Sequence, residues 1–212
     1  MAHYDLEEQE QLDSLKTWWK MYGNLVTGLL LVVSVAVIGW QGWGRYQSGQ
    51  SAEASAVYAV LEQAVAINDV QKIKAAAGEL AEKFGGTTYA SLGALMAAKQ
   101  SFEAGDLKTA KAQLTWVAEN GKHEIQDMAR LRLAAVLLDE KSYEDALKQL
   151  EAKHASAFDA RYLDLKGDVL AAQGKKGEAR LAYQAARSKL GSQGGVAAEL
   201  LQQKLDGLGE GV

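Results

Sequence analysis

The sequence predicts an all-α protein: a single N-terminal transmembrane helix followed by an array of helical hairpins. Three observations carry this. Proline is absent from the 212 residues while glycine occurs 21 times, and with alanine abundant this balance favours long helices over strand-and-turn architecture. The 24 residues between Lys20 and Arg45 carry no charge at all. From Gln50 onward, apolar residues recur at helical spacing and the breaks read as short and glycine-rich.

The first element is a tail over residues 1–22. Asp5, Glu7, Glu8, Glu10 and Asp13 crowd its start, and Leu12, Leu15, Trp19 and Tyr22 then fall on one helical face. An acidic amphipathic segment is repelled by anionic lipid, so a protein partner suits it better than a lipid surface. A solvated lead-in that prolongs the membrane helix is the alternative. Leu12, Leu15, Trp18 and Trp19 are the contact candidates.

Residues 23–45 form the membrane segment. The 19 residues from Leu25 to Trp43 cover roughly 29 Å at about 1.5 Å each, against about 30 Å of bilayer hydrocarbon. Four of the five tryptophans flank it, Trp18 and Trp19 before and Trp40 and Trp43 after, with Tyr22 and Tyr46 beside them, which makes an aromatic belt. The apolar core is too long, and its head too acidic, for a cleaved signal peptide, although Ala52-Glu53-Ala54 resembles a cleavage site. An uncleaved signal anchor is expected. Lys16 and Lys20 precede the span and Arg45 alone follows it closely, favouring a cytoplasmic N-terminus and an external body. No Gly-x-x-x-Gly pair occurs, and a lateral helix contact would use the Gly39–Gly42 end.

Residues 46–212 form the body. Ser51 to Phe84 holds one hairpin, turning near Asn68-Asp69. Three segments then align: AAKQSFEAGDLKTAKAQL, LAAVLLDEKSYEDALKQL and KGDVLAAQGKKGEARLAY. Each has a turn residue (Gly105, Lys141, Gly174), an alanine five positions on (Ala110, Ala146, Ala179), and a small residue twelve before that alanine (Ala98, Ala134, Gly167). The alanines lie 36 and 33 residues apart. Small residues at both positions let two helices cross closely. The pattern resembles the tetratricopeptide repeat, whose period is about 34 residues, and so implies a TPR-like α-solenoid. The first-helix positions are degraded and the closing proline is missing. A capping helix from Gly194 to Leu205 ends the array.

Chemistry is not in evidence. With no cysteine, disulfides, thiolate metal sites and cysteine nucleophiles drop out. No phosphate loop, nucleophile elbow or zinc-binding helix motif occurs. His3, His123 and His154 lack ligand spacing, and His123, Glu124 and Asp127 read as exposed polarity at a helix end. No cofactor or metal is expected, and no enzyme activity. The net charge is −4, and the body carries 20 basic against 22 acidic residues, which argues against a nucleic-acid partner. Function therefore falls to a surface. In a solenoid the first helices line the groove, giving Leu92, Leu95, Lys99 and Phe102, then Met128, Leu131 and Leu138, then Arg161, Asp164 and Asp168. Packing against the neighbouring repeat is the other reading of the apolar members. The Lys and Asn set of the carboxylate clamp that some TPR domains carry is not found.

The run EEQEQLDSLKTWWKMYGN, followed by the apolar span and WGRYQ, resembles the N-terminus of the YfgM-type ancillary subunit of the bacterial SecYEG translocon. Glu8, Gln9, Leu12, Leu15, Lys16, Trp18, Trp19, Lys20 and Gly23 carry the match, and Met21-Tyr22 departs from it. The resemblance implies a single-pass inner-membrane protein beside the translocon. Its periplasmic body would work with a membrane-anchored chaperone of the PpiD type and pass emerging secretory chains to periplasmic chaperones. A generic envelope scaffold with a different periplasmic partner, or a regulator acting through the cytoplasmic tail, fits the residues as well.

Overall fold

A computed structural model describes residues 2–191 and 194–209, with side chains from residue 10 on. The described residues form nine α-helices and one 3-10 turn, with no strand. The first helix, α1 (Ala2–Ala66), passes without a break through both boundaries read from the sequence. By contacts the chain divides into two units, Met1–Gln50 and Ser51–Val212.

The first unit is the N-terminal part of α1. Its apolar stretch is open on every face: Leu25, Val35, Ile38 and Trp40 are 69%, 69%, 70% and 84% exposed. A helix apolar and exposed all round suits a lipid environment. By length and composition it could cross a membrane. Hydroxyls within it close onto the backbone one turn earlier, Thr27 onto the Gly23 carbonyl and Ser34 onto that of Leu30, so neither is left unpaired in hydrocarbon. Trp18 and Tyr22 sit against each other before the span, and Trp43 and Tyr46 after it.

The second unit takes the end of α1 and eight further helices: α2 (Val70–Phe84), α3 (Thr88–Glu103), α4 (Leu107–Asn120), α5 (His123–Asp139), α6 (Tyr143–Leu150), α7 (Asp159–Ala172), α8 (Lys176–Leu190) and α9 (Gly195–Gly207). Pairs α1/α2, α3/α4, α5/α6 and α7/α8 share one turn chemistry. The residues Asn68, Gly105, Lys141 and Gly174 all have positive φ, between 54° and 79°. The next residue in each turn donates its N–H five positions back, Asp69 to Ala64, Asp106 to Ser101, Ser142 to Leu137 and Lys175 to Leu170. This is the Schellman bond, which satisfies a carbonyl at the helix end and reverses the chain. Asp69 and Asp106 then cap the second helix by accepting the N–H of Lys72 and Thr109.

Helix crossings follow the small residues. Ala98, Ala110, Ala134, Ala146 and Ala179 are all buried. Gly167 is buried too, and a Cβ there would stand 2.4 Å from Cε1 of Tyr183. In the first hairpin the equivalent pair is Leu61 and Ile73, both buried. There α3 makes the close approach instead: a Cβ on Gly93 would meet Leu80 at 2.6 Å and Leu61 at 3.2 Å. Trp116, the one tryptophan of the body, packs against the cores of the first three hairpins.

The breaks at 67–69 and 140–142 are short but hold no glycine, and the α6–α7 connection departs from the expectation of short glycine-rich breaks in length as well. Helix α6 stops at Leu150, and residues 151–158 contain no glycine and include a 3-10 turn, Ser156–Phe158. Asp127 of α5 holds this segment. It is 5% exposed, not the surface polarity its sequence context implies. Its Oδ2 accepts the N–H of Ala155 at 2.9 Å, and its carbonyl accepts the Tyr162 hydroxyl at 2.8 Å. Arg130 donates to the carbonyls of Lys153 and Ala118. A buried carboxylate is tolerated because its acceptors are used.

Candidate interaction surfaces

Along α3, spacings of three, four and three put Leu92, Leu95, Lys99 and Phe102 on one face, and α5 presents Met128 opposite. Between them lie two adjoining clefts of about 300 and 330 Å³. The first is lined by Leu95, Ala98, Phe102, Leu114, Ala135 and Val136. The second adds Leu92, Met96, Met128 and Val65, the last from the body's part of α1. Lys99 and Arg132 line both. The trough exists because Ala98 and Ala135 leave room where larger side chains would fill the space. Phe102 stands 42% exposed at its edge.

Not every residue read as groove-facing lies there. Leu131 and Leu138 are half-buried against the core shared by the second and third hairpins and line neither cleft. Arg161 is exposed on α7. Asp164 and Asp168, read as groove-facing charges, are engaged by the chain itself. Lys204 of α9 reaches both, at 2.6 and 2.8 Å. Burial opposes its charge, but the bonds to the two carboxylates outweigh that and hold the ammonium above the ordinary lysine range. Tyr183 donates its hydroxyl to Asp168 at 2.8 Å, and burial followed by that bond pushes the phenol well up. Leu201 and Leu205 join Leu170, Ala182 and Tyr183 in one cluster. Thus α9 closes the last hairpin with both an apolar face and a central cation.

On the N-terminal unit, Leu12, Leu15, Trp18 and Trp19 are 46–60% exposed. The Trp19 indole lies over Gly23, 3.2 Å from where a Cβ would be. Nothing stands within 4 Å of a Cβ at Gly39 or Gly42.

Titratable groups are used structurally. His154 stacks on Tyr162 at 3.9 Å between ring centroids. Its Nδ1 lies 2.9 Å from the Ala152 carbonyl and its Nε2 3.3 Å from Asp159. The bond from Lys189 at 2.7 Å holds the Asp159 carboxyl below the usual carboxylate range. Burial, then the nearby Asp127, pushes the Tyr162 phenol up to about 12. Among the described residues no group of three or more His, Cys, Asp or Glu is placed to hold a metal ion.

Sequence reasoning missed Arg132, Asp127 and Lys204. Arg132 had a signal, since it follows Met128 by four and precedes Val136 by four on the same face. The partners of the other two lie 28 to 40 residues away.

The family model for the tetratricopeptide repeat-like domain matches residues 16–210. The chain is 36% identical over 205 residues to the ancillary SecYEG translocon subunit of Neisseria gonorrhoeae, covering 96% of this chain and 98% of that one. It is 30% identical over 206 residues to the protein of that name from Haemophilus influenzae, covering 97% and 99%. To that of Escherichia coli it is 32% identical over 180 residues, covering 84% and 86%. The likeness extends over nearly the full length rather than over the repeats alone, and the chain belongs to the family of ancillary SecYEG translocon subunits with a tetratricopeptide repeat-like domain.

Proposed function

We propose that this chain is a non-catalytic adaptor anchored in the bacterial inner membrane beside the SecYEG translocon. Residues 1–22 lie in the cytoplasm, 23–45 span the membrane, and 46–212 form a periplasmic TPR-like domain. The observation that carries the reading is the near-full-length likeness to proteins named as translocon subunits. The exposed Leu12, Leu15, Trp18 and Trp19 and the open Gly39–Gly42 end give tail and span a surface for the translocon. The trough between α3 and α5 gives the body a second surface, for a membrane-anchored chaperone of the PpiD type or for emerging secretory chains. Cytoplasmic Lys16 and Lys20 against Arg45 support the orientation.

Site-specific photocrosslinking in native membranes tests this, with photoreactive residues at Trp19, Gly39, Phe102 and Met128 and adducts identified by mass spectrometry. Translocon subunits are expected at the first two positions, and a chaperone or translocated chains at the last two. Adducts with none of these would overturn the reading.

A further inference from the structure

The charge at the trough's mouth is one-sided. Lys99 and Arg132 line both clefts, and no carboxylate lines either. Lys99 meets Glu103 at 3.7 Å, with both side chains more than half exposed, a solvated pair that contributes little. Arg132 is exposed and has no carboxylate partner among the described residues. Two residues before it, Arg130 is held by Asp127 and by two backbone carbonyls. Beneath these cations the floor is apolar, formed by Leu95, Phe102, Met128 and Val136. Methionine and an exposed phenylalanine make a floor that adapts to side chains of different shape.

We propose that the trough selects apolar polypeptide segments that carry an acidic residue, seating apolar side chains on the floor and the carboxylate against Arg132 and Lys99. This rests on the reading above that the trough receives polypeptide. A guanidinium offers a carboxylate two parallel N–H donors, which fixes register as well as sign. A basic segment would set like charges together at the same place, so the rim discriminates by repulsion as well as attraction. The body's near balance of 20 basic and 22 acidic residues makes this a local preference and not a general attraction to anions.

The test uses the full chain in nanodiscs of zwitterionic lipid. Three fluorescein-labelled twelve-residue peptides share Leu and Phe anchors and differ in two flanking residues, both Glu, both Gln or both Lys. Fluorescence anisotropy should rank them Glu, Gln, Lys, with the Glu peptide about three- to tenfold tighter than the Lys peptide at physiological salt. Arg132→Glu should invert that order, and Arg132→Gln should flatten it. Both substitutions are on an exposed side chain, and circular dichroism checks that helix content is kept. Equal binding of the three peptides, or an order unchanged in Arg132→Glu, would overturn the charge selection alone. Failure of every peptide to bind would overturn it together with the reading of the trough as a polypeptide site.

Discussion

Gly167→Ala adds one carbon where α7 crosses α8, and the structure gives that carbon nowhere to go. The new Cβ would lie 2.4, 2.5 and 2.9 Å from Cε1, Cδ1 and Cζ of Tyr183. The ring cannot retreat easily. It is 3% exposed, its hydroxyl is bonded to Asp168 at 2.8 Å, and the Lys204 ammonium sits 5.5 Å from its centroid. The two helices must therefore separate, and overpacking of this kind costs about 1–3 kcal/mol. Alanine returns about 0.5–1 kcal/mol through its better helix propensity. A net loss of up to about 2.5 kcal/mol, about 1 kcal/mol at mid-range, follows from those two effects. Gly78→Ala in the middle of α2 is the opposite case, because nothing lies within 4 Å of its Cβ, and it should stabilise by about 0.5–1 kcal/mol. Urea unfolding of the full chain in detergent micelles, followed by circular dichroism, measures both. The Gly167→Ala midpoint should fall and the Gly78→Ala midpoint should rise. A Gly167→Ala protein as stable as the parent would refute the account of the crossing.

Lys141→Gly relieves a lysine at φ 60°, where the equivalent turns use Gly105 and Gly174. A left-handed residue costs about 1–2 kcal/mol, part of which glycine's extra chain entropy offsets, so stability should rise by up to about 1 kcal/mol. A lowered urea midpoint would contradict the shared turn geometry. Asp127→Ala leaves the Ala155 N–H without its acceptor, which should cost about 1–3 kcal/mol and speed amide exchange at residues 153–158 by hydrogen–deuterium mass spectrometry; unchanged exchange there would refute the clamp. Lys204 titrates above the ordinary lysine range, so its contribution is fully present below about pH 10.4 and is lost as pH rises through its raised value. As pH rises above about 10.4 the parent should lose more stability than Lys204→Met, measured by urea midpoints at each pH, and equal losses would remove Lys204 from the closure.

The hairpins were legible because each of their signals is local. The turn residues Gly105, Lys141 and Gly174 and the alanines spaced from them predict the crossings, and the turn at Asn68-Asp69 and the last helix fall where the glycine and polar punctuation puts them. The long α6–α7 connection was not legible because it is held by tertiary bonds. Nothing in the sequence around Ala155 says that Asp127 accepts its backbone N–H. The same limit applies to Asp164 and Asp168, which look like free groove charges until Lys204, 36 to 40 residues on, closes over them. Arg132 was hidden differently. Helical spacing puts it on the trough face, yet charges on an amphipathic helix are ordinarily solvated, so on α5 only the apolar Met128, Leu131 and Leu138 were read as the face.

Those two sets of charges are disposed in opposite ways. The acids of α7 are answered within the chain, by one lysine placed between two carboxylates and over an aromatic ring. That arrangement favours a fixed end to the array, because pulling α9 away would leave two half-buried carboxylates uncompensated. The cations above the α3–α5 trough have only the loose Glu103 contact to answer them, which costs little to break. A binding surface needs that second condition, since a partner gains only what the free protein does not already satisfy. With a net charge of −4, the chain has no broad positive field to draw anions from a distance. Recognition at the trough then acts over contact range, where salt at a Debye length of about 8 Å weakens it only in part, and the apolar floor supplies the affinity that the rim directs.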